Sequence, residues 1–472
     1  MRILFVASEA FPLIKVGGLA DVTSSLAVAL RDLGHEPCFV LPRYSGIEVP
    51  IRDAPEKSIA VALGTIKERV AVSRTMLREG IPAYLVENDD YFGTEDVYTQ
   101  DELRRFLFFS RCIPGVITEL DLRPDIVHCH DWHTALVPLW LREARMPLPV
   151  VFTIHNLAYQ GSFDPQFLDN YGLLSVWDEH IPRGAPQPGL NFMSQGLLLA
   201  DVLTTVSPSY ASEILTMDYG ESVGQLLKYR RDDLHGIVNG IDYDEFDPAT
   251  DPNLRTNYDC TTTRRRAENK LALQRNTGLP QDPDTPLLGM VSRLEEQKGI
   301  DLVLQAIEPL VAGTETQMVI LGRGQEHYQT ALVEAARRFP ERLSVSVAYD
   351  EQAARLIYSG CDFFLMPSRF EPCGLGQLIA MRYGAVPVVR HTGGLADTVK
   401  DVRQKGGNGF VFEEYTADAM LKAIKRAERS FYHGGEWQSL IRHNMNQDFS
   451  WKKSALQYEE IYVQALKAAR AR

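Results

Sequence analysis

Short apolar runs recur along the chain, and stretches with helical spacing separate them. In the first half they predict strands over Ile3–Ala7, Cys38–Leu41, Ile126–Cys129, Val150–Ile154, Val202–Val206 and Leu234–Val238. In the second half they predict strands over Leu287–Val291, Met318–Leu321, Leu343–Val347, Phe363–Met366, Val386–Val389 and Phe410–Phe412. Continuous apolar runs such as Val-Val-Phe-Thr-Ile suit strands covered on both faces, as in a parallel sheet. Strands alternating with helices predict doubly wound α/β architecture.

The pattern breaks between Ile241 and Thr263, where an acidic stretch carries two prolines. That composition predicts a linker with few crossing contacts. A single core stops growing at about 250–300 residues, so 472 residues predict two domains. We place them at 1–242 and 243–450, with a final helix over about 451–472 returning to the first. The basic run Arg264–Arg266 is expected to be a solvated helix start. Gly17-Gly18-Leu19-Ala20-Asp21 follows the first strand, and Gly393-Gly394-Leu395-Ala396-Asp397 follows a late one. The repeat predicts two related halves, each with a strand-to-helix turn at the carboxyl edge of its sheet, where such folds bind ligands.

Charge narrows the function. The formal net charge of −13 argues against nucleic acid as a partner, because phosphate backbones need a basic surface. The six scattered cysteines form no CxxC pair and predict reduced thiols in a cytoplasmic protein. No run is long and apolar enough to predict a membrane span, and the N-terminus lacks the long apolar core of a signal peptide.

Four stretches carry candidate chemistry. Lys15-Val16-Gly17-Gly18 opens a predicted helix, so backbone N–H groups and a cation can meet an anion there; the alternative is a tight turn with an exposed lysine. Arg293 and Lys298 bracket a turn after a core strand and can reach one diphosphate, or can simply pair with Glu295 and Glu296. Glu371-Pro372-Cys373-Gly374-Leu375-Gly376 brings a carboxylate to a glycine-rich turn, where it can take sugar hydroxyls or act as a structural cap. His128-Cys129-His130-Asp131-Trp132-His133 allows a metal by spacing, or a hydrogen-bonding strand end. His155 ends the next predicted strand, either at the same rim or packed inside.

Together with Thr205-Val206-Ser207-Pro208 and Asn239-Gly240-Ile241-Asp242, these motifs resemble the bacterial glycogen synthase and plant starch synthase family, in its order and over nearly the whole chain. The resemblance implies the GT-B fold, two Rossmann-like domains facing across a cleft. It implies retaining transfer of glucose from ADP-glucose to the non-reducing end of an α-1,4-glucan, without metal or other cofactor. It assigns Arg293, Lys298 and Lys15 to the donor diphosphate. Glu371 and the backbone of Cys373, Gly374 and Leu375 would hold the glucose, with Gly17, Gly18, Asp21, Asn239 and Gly376 also on the donor side. Tyr349 would stack on adenine, the His155 carbonyl would lie near the anomeric carbon, and Asp131 near the acceptor. Val16, Ser194 and Gly376 depart from the family's threonine, lysine and polar residue; the first and third loosen phosphate contacts and the second removes a cation. The competing readings are a GT-B enzyme using UDP-glucose or another acceptor, a catalytically silent glucan-binding protein, and a phosphorylase.

Overall fold

In the computed structural model, which describes residues 1–47, 57–64 and 66–470, the chain divides into two compact units. One is Met1–Gly240 together with the chain from Trp451 onward, and the other is Ile241–Ser450. Ile241 and Asp242 therefore fall with the second unit. Residues 471 and 472, the end of the predicted last helix, lie outside the described residues.

The first unit is built on a nine-stranded sheet. Its strands are β1 (Arg2–Val6), β2 (Glu36–Pro42), β3 (Lys57–Leu63), β4 (Ile66–Met76), β5 (Pro82–Glu87), β6 (Ile126–His130), β7 (Val150–Ile154), β8 (Val202–Thr205) and β9 (Leu234–Gly236). They run in the order β3-β4-β5-β2-β1-β6-β7-β8-β9. The central strands β1, β6 and β7 are buried almost throughout, as their unbroken apolar runs require. One edge departs from the parallel sheet expected. β4 is antiparallel to both neighbours, and β3 buries only alternate residues, Ile59, Val61 and Leu63. The helix Trp451–Arg470 covers one face of this sheet, burying Tyr458 and Tyr462 completely and packing on the helix Gly18–Asp32.

The second unit has a six-stranded, wholly parallel sheet. Its strands are β10 (Leu287–Val291), β11 (Gln317–Leu321), β12 (Leu343–Ser346), β13 (Phe363–Met366), β14 (Val386–Arg390) and β15 (Phe410–Phe412), in the order β12-β11-β10-β13-β14-β15. The supposed linker after Ile241 is a packed part of this unit. Tyr258 is buried and its hydroxyl donates to the Tyr383 carbonyl at 2.7 Å. The buried Asp251 carboxylate accepts from the Tyr383 hydroxyl at 2.6 Å, and Arg355 pairs with Glu245 at 2.8 Å. The acidic residues that suggested a solvated linker instead accept backbone N–H groups two residues on, at Asp242, Asp247 and Asp251. Arg266 is likewise not solvated: it is buried and donates to the Cys361 carbonyl.

Candidate functional site

Strand order explains why distant motifs meet. In the first sheet the direction of winding reverses at β1, which lies between β2 and β6. In the second it reverses at β10, next to β13. Loops leaving adjacent strands at such a point diverge to opposite faces and leave a crevice at the carboxyl ends. β1 leads to Lys15, β6 to Asp131, β10 to Arg293 and Lys298, and β13 to Glu371.

At the first switch point Lys15 Nζ lies 3.0 Å from Asp21 Oδ1, one turn into the helix Gly18–Asp32. The anion that meets the glycine loop is the chain's own. Glu9, 1% exposed, accepts the Val16 N–H at 2.6 Å and the Gly17 N–H at 3.0 Å through Oε2. Its Oε1 accepts from the Tyr98 hydroxyl at 2.6 Å. The expected pairing of those two N–H groups with a ligand is therefore replaced by an internal carboxylate. Gly17 is extended at φ −141°, and the Val16 side chain is 54% exposed.

Asp131 follows β6 with φ 57° and ψ 179°, a conformation costly for a residue with a Cβ. Its Oδ1 accepts the His155 N–H at 2.7 Å and the Asn156 N–H at 3.4 Å. Burial pushes the carboxyl up to about 7, against those hydrogen bonds and with help from the Glu9 charge. His155 Nε2 meets His130 Nδ1 at 3.0 Å. Below them, His128 bridges the Tyr462 hydroxyl at 3.0 Å and Thr153 Oγ1 at 2.7 Å. Burial holds all these imidazoles neutral: His155 and His133 fall to about 3, and His128 and His130 fall well below their ordinary value. The His128–His133 stretch is thus a hydrogen-bonded strand end whose histidines serve the interior. Asn239 is buried but follows β9, four strands from β1, so the sheet does not bring it to the Lys15 group.

At the second switch point Lys298 Nζ contacts both Glu371 oxygens, at 2.8 and 2.7 Å, and Ser368 Oγ donates to Oε2 at 2.9 Å. Lys298 and Glu371 side chains are 17% and 6% exposed. Arg293 is half exposed and pairs with Glu295 at 2.9 Å, while Glu296 pairs with Arg369. The turn after Glu371 depends on two glycines. Gly374 has φ 74°, and a Cβ there would meet Gln377 Oε1. Gly394, from the repeated motif, donates to the Glu371 carbonyl at 3.0 Å, and a Cβ there would strike Cys373 backbone. Cys373 and Leu375 thus lie on a turn clamped by the second Gly-Gly pair. A Cβ on Gly376 would come 3.0 Å from Phe364, which accounts for the missing polar side chain. Tyr349 follows the edge strand β12, is 73% exposed, and donates to Glu351 at 3.1 Å.

The model of the starch synthase catalytic domain matches residues 2–229, and that of glycosyl transferases group 1 matches residues 276–431. Glycogen synthase of Geotalea daltonii is 44% identical, with 98% of each chain covered. That of Thermotoga maritima is 40% identical over 99% of each. The chain belongs to the glycogen and starch synthase family. It is a glycosyltransferase. The catalytic domain of starch synthase IV from Arabidopsis thaliana, bound to ADP and acarbose, superposes with a TM-score of 0.91 at 32% identity over 99% of each chain. The fold class is that expected, two Rossmann-like α/β units of the GT-B type. A sucrose-phosphate synthase from Thermosynechococcus elongatus, 16% identical, shares the fold at a TM-score of 0.63.

Within this family member the lysine replaced by Ser194 has a structural explanation. Ser194 is fully buried, and its hydroxyl donates to the Asn191 carbonyl at 2.7 Å. The position faces the interior. The residues that the motifs did not reveal are Glu9 and Tyr98. Glu9 ends the apolar run of β1, a position where a buried acid needs partners; Tyr98 carries no signal in the sequence.

Proposed function

We propose that the protein transfers glucose from ADP-glucose to the non-reducing end of an α-1,4-glucan with retention of configuration. The observation that carries this reading is the Lys298–Glu371 pair on the glycine-clamped turn at the second switch point, in a chain of this family. An ammonium has three donors, so Lys298 can keep Glu371 in place and still serve a phosphate oxygen. Glu371 then accepts from glucose hydroxyls, and Arg293 exchanges Glu295 for the diphosphate, which its planar fork suits. By the family resemblance, Lys15 would supply a further cation to the leaving group. These fixed cations stabilise the charge that develops as the glucose–phosphate bond breaks, and the reaction then requires no metal.

Asp131 grips the two N–H groups flanking the His155 carbonyl and so fixes that carbonyl's direction. A carbonyl aimed at the anomeric carbon favours departure of ADP, and the departing phosphate oxygen takes the acceptor's proton on the same face. An adenine nucleotide and a carbohydrate acceptor are supported by the ADP and acarbose in the starch synthase IV structure. Six cysteines present as thiols fit a cytoplasmic location, and no helix among the described residues is long and apolar enough to cross a membrane.

The test is incubation with ADP-glucose and glycogen, with ADP release and chain growth followed together, with EDTA and with UDP-glucose as controls. Equal ADP release and glucose incorporation, insensitive to EDTA, is expected. Faster turnover of UDP-glucose would transfer the reading to a different donor, and binding of glycogen without turnover would leave a glucan-binding protein.

A further inference from the structure

The filled glycine loop carries a consequence for Lys15. Val16 and Gly17 immediately follow that lysine, and both of their N–H groups end on one buried carboxylate oxygen. The other oxygen is held by Tyr98, whose ring lies 5.1 Å from that of His133 beyond β6. The Tyr98 hydroxyl also lies 3.4 Å from Ser8 Oγ. The loop after β1 is thereby tied to the segment before helix Glu102–Glu119 and to the end of β6, through a carboxylate that no lysine or arginine neutralises among the described contacts. A buried carboxylate satisfied by two backbone N–H groups and a phenol is a fixed anchor, because its alternatives in the interior are unsolvated.

We propose that Glu9, held by Tyr98, is a positioning residue for Lys15. By occupying the Val16 and Gly17 N–H groups it sets the backbone from which Lys15 projects, while Asp21 pairs with the ammonium at 3.0 Å. This rests on the role given to Lys15 in the proposed transfer. Glu9 itself is buried, 1% exposed. Its oxygens act as acceptors, so an amide of the same shape retains the function: the glutamine oxygen can face the backbone N–H groups and its NH2 can face the phenol oxygen.

The test is a double-mutant cycle on kcat/KM for ADP-glucose, read beside Tm. Glu9→Ala is expected to lower kcat/KM by about tenfold or more, from the loss of hydrogen bonds to a charged acceptor. Glu9→Gln is expected to restore most of it. In a Lys15→Ala background, Glu9→Ala should cost less than about twofold, because residues acting as one unit are non-additive. Tyr98→Phe keeps both backbone contacts and serves if Glu9→Ala fails to fold; it should show the same dependence on Lys15 at smaller size. Equal losses with and without Lys15 would overturn the proposal and leave Glu9 a folding residue. A wild-type protein inactive on ADP-glucose would instead overturn the transfer reading.

Discussion

The two switch points each pair a lysine with a carboxylate but differ in what lies beneath the pair. In the second unit Lys298 pairs with Glu371, whose side chain is 6% exposed, and Arg293 is half exposed. In the first unit Lys15 pairs with Asp21, and beneath them burial lowers the pKa of four histidines and pushes Asp131 up to about 7. One unit pairs its lysine with a buried carboxylate that a clamped turn presents. The other stores titratable groups in a dry interior and uses them to hold backbone in place. The same strand-to-helix turn therefore yields a charge-presenting site or a shape-holding site, according to what lies behind it.

The sharpest contrast lies within the charged site. Lys298→Ala removes the partner of a buried carboxylate and a donor to the leaving group. It should lower kcat by roughly a hundred- to a thousandfold and also destabilise the protein by about 3–5 kcal/mol, the usual cost of breaking a buried pair. Arg293→Ala should give a comparable loss of kcat with a stability change under about 1 kcal/mol, because its ion pair with Glu295 is exposed. Steady-state kinetics and chemical denaturation of both variants separate the two. Equal stability losses would show that burial does not distinguish these cations.

Acid distinguishes the units. His128, His130, His133 and His155 have folded pKa values below the unfolded value of about 6.5. The stability they provide is complete above that pH. It falls as pH drops below that value, by up to about 1.4 kcal/mol per pH unit for each histidine, and for His133 and His155 this continues to about 3. Asp131 acts in the reverse sense: its folded pKa is raised, so its contribution is full below about 4 and declines as pH rises to about 7. One carboxyl cannot offset four imidazoles, so the first unit should unfold in mild acid. Trp132, Trp140, Trp177 and Trp451 belong to it and Trp437 to the second. Tryptophan fluorescence should therefore change at a higher pH than the remaining far-UV circular dichroism. Coincident transitions would refute the difference in acid sensitivity.

What the sequence disclosed follows the same division. Strands buried on both faces announced themselves as apolar runs, as in β1, β2, β6 to β8, β10, β11 and β13 to β15, and the partly buried β9 and β12 were legible from short apolar runs. β3, β4 and β5 were not, because half-buried strands write alternation, as in Ile59, Val61 and Leu63 of β3, in place of a continuous run. The acidic segment after Ile241 misled because aspartates in turns resemble aspartates in solvent until their N–H partners are known. At the charged site, motif spacing located Arg293, Lys298 and Glu371, but the direct Lys298–Glu371 contact needed the β10–β13 adjacency. At the neutral site the motifs gave Lys15 and Asp131 and omitted Glu9 and Tyr98, since a carboxylate bound to backbone leaves no spacing rule to read.

The smallest effect is expected at Val16. Its N–H is committed to Glu9, but its side chain is 54% exposed and makes no part of that anchor. Val16→Thr restores the family's residue without altering the backbone donor. If the loop is set from beneath by Glu9, stability should change by less than about 0.5 kcal/mol, as for other exposed positions. A new hydroxyl beside Lys15 adds at most one hydrogen bond to a bound phosphate, so KM for ADP-glucose should fall by no more than about tenfold with kcat nearly constant. A large rise in kcat would mean that the side chain at position 16, and not the carboxylate below it, governs the lysine.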